Sequence, residues 1–176
     1  KTPKTSSAAS DVYKRQGKSN ENEVLKSDLD SLNILTKKSP ERAIRFAREL
    51  LKKVAPISES NFEYKINNTL GEIFLDLQMY GQAMSHFTEA NIIREKLGQG
   101  SAPWLLINIG NVYYQQQKYI KAREYYLNGL DKFNSLKHNQ DNRVSGRKVA
   151  LSNLGRIEVR IKNYDKALNY FREALD

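Results

Sequence analysis

Cysteine is missing from the 176 residues, so neither a disulfide framework nor a thiolate metal site can form, and the redox compartment stays open. Imidazole is scarce: His86 sits beside an aromatic residue and His138 in a polar stretch, neither with the spacing of metal ligands. No Gly-rich phosphate loop, Gly-x-Ser-x-Gly elbow or His-Glu-x-x-His pair occurs, which removes the common motifs for phosphate binding, serine nucleophiles and zinc hydrolysis. Glu72 and Asp76 lie one helical turn apart, as a hard cation would want, but no third ligand accompanies them and they read as a solvated face. The expectation is a chain that is no enzyme and needs neither cofactor nor metal. No apolar run approaches the roughly 18 to 20 residues of a membrane span, so a soluble segment is expected.

Charge, by contrast, is plentiful and unbalanced, with 28% charged residues and a net charge of +9. Residues 1–16, KTPKTSSAASDVYKRQ, lack helical periodicity, begin without methionine and are rich in Ser, Thr and Lys. Their ending resembles a translated adaptor tail, and residues 1–20 are expected to form a disordered, non-native tail. Residues 1–16 contribute +3, which leaves +6 for the remainder. That moderate excess is weak support for nucleic acid as a partner. With 39% hydrophobic residues, the rest fits one soluble unit of ordinary size.

The strongest pattern lies in LGEIFLDLQMYGQAMSHFTEA, residues 70–90, whose small and aromatic residues return in residues 109–129 and 154–174. In each copy a glycine (Gly71, Gly110, Gly155) is followed after nine residues by tyrosine (Tyr80, Tyr119, Tyr164) and after twelve by alanine (Ala83, Ala122, Ala167). After sixteen comes an aromatic (Phe87, Tyr126, Phe171), and after nineteen another small residue (Ala90, Gly129, Ala174). A large apolar residue precedes every glycine. Two helices that cross closely need small residues at the crossing and bulky ones beside it. The expectation is a helical hairpin, repeated, in which the glycine of the first helix meets the first alanine of the second. One hairpin cannot bury both of its faces, so it stacks on the next.

This pattern resembles the tetratricopeptide repeat family, whose signature reads Leu106, Ile109-Gly110, Tyr113, Ala122, Tyr126, Gly129 in the best copy. Asn67 stands where Leu106 would be in one further copy, and Glu158 where Tyr113 would be in the other. The glycines are 39 and 45 residues apart, longer than the family period of about 34. Glu95 and Asn134 occupy the usual proline positions, while Ile93, Leu97, Phe133 and Leu136 continue at helical spacing past them. Such long-period arrays resemble the sensory regions of bacterial signalling proteins. The resemblance implies an all-α, right-handed superhelical solenoid of about four hairpins, periplasmic if it is the input region of a sensor kinase and cytoplasmic otherwise.

Along the chain, Leu25, Leu29, Leu32 and Leu35 predict an amphipathic helix over 21–36. Ser39-Pro40-Glu41 predicts the start of the next helix, with Ser39 as cap and Pro40 at the first helical position. This is a degenerate first repeat, and the solenoid is expected over 21–176, with repeats near 21–55, 61–98, 103–137 and 143–176. The polar stretch 138–142 is expected to be a flexible connection. The chain stops two residues past Ala174 without a polar capping helix, so C-terminal truncation is expected, along with self-association through the uncovered Phe171, Ala174 and Leu175.

In family terms, the inner face carries residues one and five after each glycine and three before it. By resemblance these are Asn68, Glu72 and Asp76; Ile107, Asn111 and Gln115; Ser152, Arg156 and Arg160, flanked by Leu75, Trp104 and Tyr114. The resemblance implies that they bind a protein or peptide. Across the array the charge runs from acidic through amide to basic, which would orient an extended ligand. The family's clamp for C-terminal carboxylates is not matched, because Asn68 and Glu72 stand where it needs Lys and Asn. A second surface, Arg42, Arg45, Arg48 and Lys52 on one stripe, offers a nucleic-acid-binding alternative. Glu41 and Glu49 interrupt that stripe and no aromatic accompanies it, so a solvated outer face is the preferred reading.

Overall fold

In the computed structural model the described residues are 6–55, 61–137 and 140–175, with side chains described from residue 22 on. They form eight helices: α1 (Ser6–Lys38), α2 (Pro40–Val54), α3 (Asn61–Asp76), α4 (Tyr80–Lys96), α5 (Pro103–Gln115), α6 (Tyr119–Ser135), α7 (Gln140–Arg160) and α8 (Tyr164–Leu175). Among the described residues there is no strand. The architecture is thus the all-α helical-hairpin repeat expected from the sequence, and it separates into two compact units, residues 1–56 and 57–176.

The first unit is the hairpin α1–α2. Leu25, Leu29 and Leu32 of α1 and Ala43, Ala47, Leu50 and Val54 of α2 are its buried apolar residues. Lys53 Nζ lies 2.7 Å from Asp28 Oδ2 and ties the two helices at the surface. Two expectations change here. The backbone is helical from Ser6, so residues 6–20 extend the helix rather than forming an irregular tail; Pro3 is the last proline before Pro40 and nothing between them must break a helix. Ser39 is the extended residue before α2, but its hydroxyl makes no capping bond. The start rests on Pro40 in the first turn and on the Ser39 carbonyl, which accepts from Ala43 N at 2.9 Å.

The second unit stacks three hairpins, α3–α4, α5–α6 and α7–α8. One turn closes all three. Gln78, Gln117 and Lys162 adopt φ of 59, 60 and 62°, and the next residue's N–H donates back to Phe74 O, Tyr113 O and Glu158 O at 2.8, 2.9 and 2.8 Å. This six-to-one bond satisfies carbonyls that a helix end leaves open. The tyrosines Tyr80, Tyr119 and Tyr164 then open the second helices.

The crossing differs in one respect from the sequence expectation. Each signature glycine meets the aromatic ring sixteen residues on, rather than the alanine: Gly71 lies under Phe87, Gly110 under Tyr126 and Gly155 under Phe171, so close that an added Cβ would fall inside the ring's contact distance. A ring packed against bare backbone buries more apolar area than two small residues would. Gly146 makes the same contact with Phe133, and this one joins α7 to the preceding hairpin. It also explains much of the 45-residue spacing. Helix α7 begins fifteen residues before its glycine, whereas α5 begins seven before its own, and that extra length docks on Phe133. Helix therefore starts at Gln140, inside the stretch expected to be a flexible connection; residues 138–139 lie outside the described residues.

Both departures from the repeat signature are polar, and both are buried. Asn67 Oδ1 lies 3.0 Å from His86 Nδ1 and its amide donates to Glu63 O, while the His86 ring stacks on Phe74. Glu158 of α7 is ion-paired with Arg123 of α6 and lies 3.7 Å from Lys166 of α8. Buried polar groups persist where partners replace the lost water.

Candidate functional site

The first helices of the three stacked hairpins, α3, α5 and α7, are joined by side-chain amides. Asn108 Nδ2 donates to Glu72 Oε1 at 2.8 Å, and Asn153 Nδ2 donates to Asn111 Oδ1 at 3.3 Å. Asn108 and Asn153 both stand two residues before a signature glycine, and Glu72 and Asn111 both stand one after it. The same rung thus recurs between successive repeats. An asparagine suits it, since its amide both donates and accepts. The sequence signal for this rung is an asparagine in register twice, and it is independent of the charge pattern.

Below the second rung lies a buried phenol. Tyr126 is fully buried against Gly110, and its hydroxyl donates to Asn111 Oδ1 at 2.7 Å. Burial pushes this phenol well above its ordinary range, with Arg156 opposing the shift, so the hydroxyl keeps its proton and remains a donor. Above the rung, Arg156 donates to Asn153 Oδ1 at 3.3 Å and its guanidinium lies 4.7 Å over the Tyr114 ring. Arg160 Nε donates to the Tyr114 hydroxyl at 3.1 Å. Two guanidinium groups are thereby gathered on one tyrosine, with donors left to spare.

Beside this cluster is an open cleft of about 380 Å³. Of the residues expected on the inner face, it collects Asp76, Asn111, Tyr114, Gln115 and Arg156, together with the flanking Leu75. Gln78, Val149 and Asn153 also line it and were not anticipated; Gln78 comes from the turn and Asn153 from the amide rung. Asp76 of the expected acidic end and Arg156 of the expected basic end therefore share one cleft.

The other expected residues lie elsewhere. Asn68 and Glu72 bond to each other and to Asn108 on the α3–α5 seam. Ser152 is half-buried on α7 outside the lining of the cleft. Ile107 is corrected: at 1% exposure it belongs to the core and faces Gly129, because α5 turns this position toward α6. Trp104 is corrected as an open groove aromatic, since it packs edge-on to Phe133 with ring centroids 5.0 Å apart and donates from Nε1 to Asn142 Oδ1 at 2.6 Å. On α2, Arg42, Arg45, Arg48 and Lys52 are exposed, as any solvated helix face would have them. Among the described residues no group of three or more acidic or imidazole side chains is placed to hold a metal ion, and no helix is long and apolar enough to cross a membrane.

Comparison with known proteins bears on the repeats themselves. The family model for the tetratricopeptide repeat matches residues 101–176. The crystal structure of BtubC (BKLC) from P. vanneervenii superposes with a TM-score of 0.68 at 22% identity, covering 77% of this chain and 55% of that chain. At that identity the likeness is one of fold, and the chain spans about half the length of this neighbour. No curated protein sequence matches the chain. The matched segment holds the hairpins α5–α6 and α7–α8, so the match supports tetratricopeptide repeats over residues 101–176.

Proposed function

We propose that the chain is a non-catalytic scaffold that binds an extended protein or peptide segment along the inner face of α3, α5 and α7. Tetratricopeptide repeats in general mediate protein–protein contacts and are as a rule not catalytic. The observation that carries the reading is the cleft at Tyr114, where side chains of three helices converge on open space with polar groups of both signs. Amides at Asn111 and Gln115 match the donors and acceptors of a peptide backbone in either direction, so charge sets the direction. The acidic part of the ligand lies toward Arg156 and Arg160.

The experiment is a displayed peptide library selected on the full chain and on an Asn111→Ala, Tyr114→Ala variant. A consensus enriched on the wild type and lost on the variant supports the reading; equal enrichment on both overturns it. The long spacing of the repeats further suggests the sensory or interaction part of a larger signalling protein. The reading frame beyond codon 176 tests that parentage, with a kinase core or regulator domain as the supporting result.

A further inference from the structure

Asp76 is an unusual residue to end α3. The carboxyl end of a helix carries partial negative charge, which a basic residue in the last turn offsets. Helices α1, α2, α4, α6, α7 and α8 all carry such a residue, whereas the last turns of α3 and α5 have none, and of these two only α3 ends on an acidic residue. Asp76 instead adds a second negative charge there. It lines the same cleft as Arg156, whose guanidinium is held over Tyr114 and tied to Asn153. Arg156 is positioned in turn from below, through Asn153, Asn111 and the Tyr126 hydroxyl. Of the three aromatics in register, Phe87, Tyr126 and Phe171, only this one carries a hydroxyl. The cleft is thus lined by a carboxylate at a helix C-terminus and by a guanidinium that lies over Tyr114 and bonds to Asn153.

We propose that this cleft is a paired-charge subsite, selecting a peptide segment with a basic and an acidic side chain two residues apart, and that the Tyr126 hydroxyl positions Arg156 for it. In an extended peptide, residues i and i+2 point to one side, about 6 to 7 Å apart. The basic side chain meets Asp76. The acidic one meets Arg156 and Arg160, whose planar forks suit a carboxylate. This differs from recognition by a charge gradient along the whole array, which would favour opposite charges far apart. It rests on the peptide-binding reading above.

The test uses fluorescein-labelled nine-residue peptide pools, degenerate except for fixed residues, titrated against the full chain by fluorescence anisotropy. One pool fixes Lys-x-Glu at its centre, a second places Lys and Glu at opposite ends, and a third fixes neither. The Lys-x-Glu pool is expected to bind about tenfold more tightly than the third. Asp76→Asn or Arg156→Gln removes that preference, and Tyr126→Phe cuts it several-fold with little change in helical content. Arg42→Gln with Arg45→Gln, on α2, leaves it intact. Equal binding of all three pools, or a preference for the pool with separated charges, overturns the subsite while peptide binding stands. No binding by any pool overturns both. A full preference in Tyr126→Phe overturns the positioning role alone.

Discussion

The α5–α6 and α7–α8 hairpins carry the same signature residues and bury them to different depths. On α6 the stripe Tyr119, Arg123, Tyr126 and Leu130 runs down the helix; the equivalent stripe on α8 is Tyr164, Leu168, Phe171 and Leu175. Helix α7 packs on α6, so Tyr126 is 1% exposed and Arg123 finds Glu158. On α8, Tyr164 is 63% exposed, Leu168 48% and Leu175 81%. The difference follows from what a repeat is: part of each hairpin's core is supplied by its neighbour. Sequence equivalence does not carry equivalence of energy.

Exchanging residues between the two stripes tests this directly, and the largest effect is expected at the buried ion pair. Arg123→Leu gives α6 the residue that α8 carries, and it leaves Glu158 with Lys166 alone. A loss of about 3 kcal/mol or more is expected in urea denaturation; unchanged stability would mean that Arg123 does not hold Glu158. Next come the glycines. Gly110→Leu drives a side chain into the enclosed Tyr126 ring and is expected to cost about 2 to 3 kcal/mol, whereas Gly155→Leu costs about 1, because Phe171 is only partly buried and can swing aside. Equal losses at the two glycines would contradict the difference in cover.

The turns should respond alike in both hairpins, since the left-handed residue depends on local backbone and not on neighbours. Gln117→Gly and Lys162→Gly should each stabilise by about 1 kcal/mol, read as a raised melting temperature. The smallest change in stability, within about 0.5 kcal/mol, is expected for Leu168→Arg on the uncovered stripe. Sedimentation adds a second reading there. The apolar end face predicts association that grows with concentration, reduced by Leu168→Arg with Leu175→Glu; identical profiles for wild type and variant would remove that face from consideration.

Much of this fold was legible in one sequence because its determinants are local and repeated. The glycine, tyrosine, alanine and aromatic spacings mark hairpins, and the three turns fall at the same distance from their glycines. The start of α7 is not legible in the sequence because Gln140, Asp141 and Asn142 are residue types common in loops, while Asn142 is the acceptor for Trp104 of α5. Ile107 departs from the expected inner face for a related reason. A family position names a helix face on average, and α5 sets this residue against Gly129. The roles of Asn153 and the Tyr126 hydroxyl are not legible in the sequence because the partner of each lies on another element: Asn153 and Asn111 are 42 residues apart, and Tyr126 and Asn111 are 15 apart.

What the sequence determined by itself is therefore the hairpin and its repetition, through helical periodicity and the need for bare backbone under an aromatic ring. Tertiary structure alone decided which polar residues share a site. Asp76 and Arg156 belong to helices two repeats apart, and whether they stand at opposite ends of a groove or in one cleft depends on how each hairpin is set against the next. That stacking comes from the summed packing of α3, α5 and α7, including the amide rungs between them, and no periodicity along the chain encodes it.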